Sequence, residues 1–180
     1  MTPDLQQEFQ VLSEKARQHL KDVPESESYW HVFSLWTYPS FAPASRCTVH
    51  SPLPRAKGNQ PFISFTTWRS DLDLEKLRSP VERLKYPKEL APTIQDDVLW
   101  LEESEVEEVE ARIRDLSIPI YLGQTTVLGC DGTGFEFRYD KLFYGISLHW
   151  WEDQPSQWRA FTEAVVRVVK ELEDRRTQKE

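Results

Sequence analysis

At 180 residues the chain has the length of a single domain and can bury a sizeable core. Its 39% apolar and 12% aromatic content excludes a disordered chain despite 29% charged residues, and a net charge of −8 without any Lys/Arg cluster speaks against general nucleic-acid binding. Cys47 and Cys130 are the only cysteines, too few and too far apart for a disulfide scaffold or a zinc site.

The N-terminus begins Met1-Thr2-Pro3-Asp4 and lacks the basic and apolar regions of a signal peptide. No apolar run is long enough to span a membrane, so a cytoplasmic location is the expectation. Thr2 suits a helix cap, Pro3 the first turn and Asp4 the positive end of the dipole. Leu5, Phe9, Leu12, Ala16 and Leu20 then recur at helical spacing, and the helix is expected to end near Val23-Pro24.

A strand is expected over Tyr29 to Tyr38. Simple alternation puts Tyr29, His31, Phe33 and Leu35 on one face and Trp30, Val32, Trp36 and Tyr38 on the other. Both faces are apolar, so the strand should be central, covered by helices or by a second copy of the chain in a homodimer. Short strands follow over Arg46 to His50 and Phe62 to Trp68.

The stretch from Ser70 to Pro92 reads as irregular, with one short helix opened by the capping-box pattern Ser79-Pro80-Val81-Glu82. Val98 to Leu101 reads as a strand. Ser104 and Glu107 form a second capping-box pattern, followed by a stripe of Val106, Val109, Ile113 and Leu116. Glu102, Glu103, Glu105, Glu107, Glu108 and Glu110 make a dense acidic run that lacks the Asp/Asn/Gly loop of a calcium site and suits a solvated helix face.

In the C-terminal third, Thr125 to Cys130, Asp131-Gly132 and Thr133 to Tyr139 read as a hairpin. A turn at Lys141-Leu142 leads into a strand over Phe143 to Trp151. With those turns Phe135 opposes Leu148, Phe137 opposes Ile146 and Tyr139 opposes Tyr144, an apolar face that Leu128 and a buried, unreactive Cys130 share. The opposite face carries Glu136, Arg138, Ser147, His149 and Trp151, with Val127 beside them, and sets Glu136 against Ser147. Pro155 then opens a helix with a buried stripe of Trp158, Phe161, Val165, Val168 and Leu172, and a charged, frayed tail from Asp174. The whole is one α+β domain, mainly antiparallel sheet with N- and C-terminal helices packed on it.

No GxSxG, phosphate-binding glycine loop or paired metal ligands occur, so no catalytic residue, metal or cofactor is assigned. Gly129-Cys130-Asp131-Gly132-Thr133 with Phe135 and Phe137, then Trp150-Trp151, Pro155 and Trp158, resembles a pattern in small, uncharacterised bacterial cytosolic proteins. Some of these look like the immunity partners encoded beside secreted toxins. The resemblance spans roughly residues 123 to 172 and implies a fold signature rather than an activity.

Two functions are expected. The first is a non-enzymatic protein-binding domain, an immunity-like inhibitor included, meeting a partner with a basic surface through Asp96 to Glu110 and then through the face bearing Trp151. The second is an enzyme or small-ligand binder with a pocket around His149, Glu136 and Arg138, approached by His31 or His50.

Overall fold

The structure, a computed structural model, describes residues 3–23, 26–40, 42–54, 56, 58–79, 81, 91–117, 132–141, 144–152 and 156–178. Helix α1 (Pro3–Lys21) leads into β1 (Tyr29–Pro39), β2 (Ser45–Pro52) and β3 (Phe62–Trp68). Then come α2 (Ser70–Arg78), β4 (Ile94–Trp100), α3 (Glu103–Arg114), β5 (Thr133–Lys141), β6 (Tyr144–Trp151) and, after a 3₁₀ turn at Ser156–Trp158, α4 (Arg159–Gln178). The strands form one antiparallel sheet in the order β4-β3-β2-β1-β5-β6. The fold is α+β, as expected.

Helices cover both faces of the sheet. On one side Phe33, Leu35, Val49, Ile63 and Phe137 pack against Val106 and Ile113 of α3 and Phe161, Val165 and Val168 of α4. On the other, Leu12, Ala16 and Leu20 of α1 and Leu77 of α2 pack on Trp36 and Trp68. The doubly apolar β1 is thus central, with Val32 to Trp36 buried between helices of its own chain.

Simple alternation fails within β1. The register with β2 slips between His31 and Phe33, so a bulge at Val32 puts His31, paired with His50, on the face of Ser34 and Trp36. An extra residue reverses the side of everything before it. Tyr29 and His31 therefore belong with Trp36 and Tyr38 rather than with Phe33 and Leu35.

A second departure is α2, a helix where the sequence reads as irregular. Its dipole is complemented by Asp71 and Asp73 in the first turn and Lys76 and Arg78 in the last. Its apolar content is a bare Leu72, Leu74 and Leu77. Tertiary bonds hold it instead. Buried Asp73 accepts from the Trp68 indole at 2.8 Å and from the Thr93 amide at 2.9 Å, as well as from the Thr93 hydroxyl. The short helix expected after Ser79 falls mostly outside the described residues, and Ser79 itself closes α2.

Helix α3 starts two residues before the expected box. Its cap is Glu102, whose amide donates to the Glu105 carboxylate at 2.8 Å. Buried Leu101 and Val106, flanking the cap at N′ and N4, staple the entry and explain why Glu102 is chosen over Ser104. Nor is the C-terminal tail frayed as expected. Helix α4 runs to Gln178 because Arg175 pairs with Glu105 at 3.0 Å and Arg176 with Asp97 at 3.1 Å.

The partner strand expected at Thr125 to Cys130, with Val127, Leu128 and Asp131, lies outside the described residues. The described neighbours of β5 are β1 on one side and, from Gly134, β6 on the other. The β5–β6 register runs Phe137↔Leu148 and Tyr139↔Ile146, two residues from the expected pairing. A slip of two leaves every side chain on its expected face.

Candidate functional site

The two-residue shift changes which polar groups meet. Glu136 lies opposite His149, and Arg138 opposite Ser147. His149 Nδ1 stands 3.7 Å from Glu136 Oε2, an ion-pair distance when the imidazole is protonated. Glu136 is buried because its own row continues through Trp36 and Arg46 beneath the end of α1.

The next row sets Tyr38 beside Gly134 and Gly134 beside Trp151. Neither glycine neighbour of Trp151 has a side chain to hold the indole away. A Cβ on Gly134 would lie 3.4 Å from Trp151 Cζ3, and one on Gly132 only 2.9 Å from Trp151 Nε1. The Trp151 ring therefore lies down along the β5 backbone as one wall of a cleft.

Helix α1 supplies the facing wall. Arg17 and Lys21, one turn apart beside the buried Ala16 and Leu20, overhang the sheet, and the Arg17 guanidinium lies 5.9 Å from the Tyr38 ring centre. Together with Glu136, His149, Trp151 and Ser40 they enclose about 350 Å³. Tyr38 brings a buried hydroxyl with no hydrogen-bond partner among the described residues. Burial, reinforced by the charge of Glu136, pushes that hydroxyl up to about 12, so at neutral pH it is a proton donor without an acceptor.

Of the five residues expected on this face, Glu136, His149 and Trp151 line the cleft. Arg138 and Ser147 lie one row further along, exposed, with the Arg138 guanidinium 5.7 Å from the Trp36 ring. His31 and His50 do not join His149. They stack edge-to-face on each other at 5.0 Å, further along β1 and β2 than the Ser34–Arg138 row. The sequence assigns no site role to Arg17, Lys21 and Ser40, and places Tyr38 only as a residue of the strand that is β1. The signal available was Arg17 and Lys21 at i,i+4, flanking the apolar stripe of α1, but nothing local says which strand they face.

Among the described residues lining the cleft, Arg17 and Lys21 face the Glu136 carboxylate, and His149 is largely exposed, in polar contact with Glu136. Among the described residues no cluster of three or more His, Cys, Asp or Glu side chains is placed to hold a metal ion. Cys47 is buried, and burial pushes its thiol well above the ordinary range, which leaves it inert. No described helix is long and apolar enough to cross a membrane. No family model, curated protein or solved structure matches the chain.

Proposed function

We propose that the protein is a non-enzymatic binding protein whose contact site is the cleft between α1 and the β5–β6 face, and that the group it takes is an anion. One observation carries this reading: Arg17, over the Tyr38 ring, and Lys21 converge opposite a Trp151 wall, in a chain whose net charge is −8. A local positive patch on an acidic protein focuses negative ligands, and the two cations offer a carboxylate charge-assisted hydrogen bonds. Titration of the isotopically labelled chain with benzoate, read at the Trp151 indole N–H, is expected to show binding weakened by Arg17→Ala with Lys21→Ala and by added salt. Equal binding of neutral benzamide would refute the anion preference.

A second reading has its own observation. Val98 and Trp100 are about half exposed on β4, an outer strand among the described residues, with Asp96 and Glu103 exposed beside them. An apolar centre with a carboxylate rim suits a basic protein partner, and an immunity-like inhibitor is one form such binding takes. The acidic run offers less charge than its sequence suggests, since Asp97 and Glu105 are paired with Arg176 and Arg175. Trp100→Ala is expected to abolish capture of a basic partner from the native host. Capture that survives this change would remove the reading.

A further inference from the structure

A second cavity, of about 500 Å³, opens at the other end of β1. It lies beside the bulge at Val32. Pairing of β1 with β5 stops at Phe33↔Tyr139, whereas β5 continues through Asp140 and Lys141 against β6 alone. The strands part there, and bulges recur beside binding sites because they re-aim side chains.

One wall of the opening is Trp30 with His31. The other is the arm Ser51-Pro52-Leu53-Pro54 that leaves β2, with Asp140 at the rim. The arm is held in place, since the Leu53 amide donates to the Ser28 carbonyl at 2.9 Å and the Ala56 amide to the Leu53 carbonyl at 2.8 Å. Two prolines leave it short of donors, so its inner surface is apolar. The volume falls within the roughly 300–1,000 Å³ of small-molecule sites.

Among the described lining residues, Asp140 is the one acidic group. It is half-buried and makes no hydrogen bond or ion pair with the described residues. Its Oδ1 lies 2.5 Å from where a Cβ on Gly145 would stand, so the carboxylate rests on the β6 backbone at a spot that only glycine leaves open.

We propose that this cavity binds a small arylalkyl amine, its ring against Trp30, Leu53 and the prolines and its ammonium on Asp140. An apolar body alone would take water from the half-buried carboxylate without replacing its hydrogen bonds. An ammonium gives it a charge-assisted hydrogen bond in return. The site is independent of the cleft at His149.

The test titrates 4-phenylbutylamine into the full chain, read at the Trp30 indole N–H assigned by Trp30→Phe, with 4-phenylbutanol and 4-phenylbutyrate as comparators. The amine is expected to bind about tenfold tighter than the alcohol, and the acid to bind weakest. Asp140→Asn should bring amine and alcohol together, and Gly145→Ala, which displaces the carboxylate, should narrow the gap in a chain whose Asp140 is intact. Arg17→Ala with Lys21→Ala should leave all three affinities unchanged. No shift at Trp30 at millimolar amine, an alcohol that binds as tightly, or an amine preference that persists in both the Asp140 and Gly145 variants would overturn the assignment.

Discussion

Trp36 and Arg46, cross-strand neighbours on β1 and β2, donate to the same carbonyl. Leu20 O accepts Trp36 Nε1 at 2.6 Å and Arg46 Nη1 at 2.9 Å. Arg46 is buried, and it also donates to Asp22 O and to Thr66 Oγ1, each at 3.0 Å. The last carbonyls of α1 carry the negative end of the helix dipole, which is how a buried guanidinium is accommodated without a bonded carboxylate.

Removing that cap should loosen the end of α1 that carries Arg17 and Lys21. Arg46→Leu deletes a buried charge but strands the Asp22 carbonyl and the Thr66 hydroxyl, so a net loss of about 2 kcal/mol is expected in urea unfolding. Arg46→Lys should lose nearly as much, because one ammonium cannot span acceptors on α1 and β3 together. Amide exchange over residues 16–21 should speed up in both. A loss under about 0.5 kcal/mol with unchanged exchange would mean the helix end is held by Leu20 and Trp36 alone.

Asp73 tests the other clamp. It ties α2 to β3 through Trp68 and to the start of β4 through Thr93. Asp73→Ala leaves a buried indole N–H and a backbone N–H unpaired, which should cost about 3 kcal/mol. Asp73→Asn keeps one acceptor oxygen and should cost about half as much. Thermal unfolding that ranks the two in the opposite order would count against the hydrogen-bond account.

Elements whose own periodicity suffices were legible in the sequence. The stripes of α1 and α4 and the alternation of β5 and β6 put Leu12, Phe161, Phe137 and Glu136 where the fold has them. Helix α2 was not legible, because its stability rests on Asp73 reaching partners 5 and 20 residues away. The bulge at Val32 left no local mark, as every residue from Tyr29 to Tyr38 suits a strand. Half of the cleft was visible for the same reason. Sheet alternation groups Glu136, His149 and Trp151, while the approach of Arg17 and Lys21 depends on how α1 crosses the sheet. That crossing is set by the long-range bonds of Arg46 and Trp36.

His50 should shape the acid limb of the stability curve. Burial, with the neighbouring His31 second, lowers its pKa from 6.5 to about 3, while its Nε2 lies 2.9 Å from Ser64 Oγ. The folded state therefore resists a proton that the unfolded chain accepts below about 6.5. This contribution is fully present above that pH and is lost as pH falls toward 3. His50→Gln, which keeps a polar partner for Ser64 without titrating, should flatten the slope of unfolding free energy across that window. A variant with the wild-type slope there would show that other groups carry it.

Gly132 is expected to control the cleft wall more than Gly134 does. Its φ of +137° suits glycine, and its carbonyl is held by both the amide and the hydroxyl of Ser40 at 2.9 Å, so the backbone has little freedom to relax. A Cβ there would stand 2.9 Å from Trp151 Nε1 and 3.3 Å from Glu152 Oε2, whose carboxylate accepts the Thr133 amide. Gly132→Ala should therefore cost about 1–3 kcal/mol in backbone strain and push the Trp151 ring off β5. Gly134→Ala meets the same ring at 3.4 Å, an ordinary contact, and should cost less than about 1 kcal/mol. Near-UV circular dichroism and benzoate titration of the two variants separate the effects. The Trp151 signal and the affinity should fall together in Gly132→Ala and hold in Gly134→Ala, and equal behaviour of the two would mean that the indole is not set by the glycine backbone beneath it.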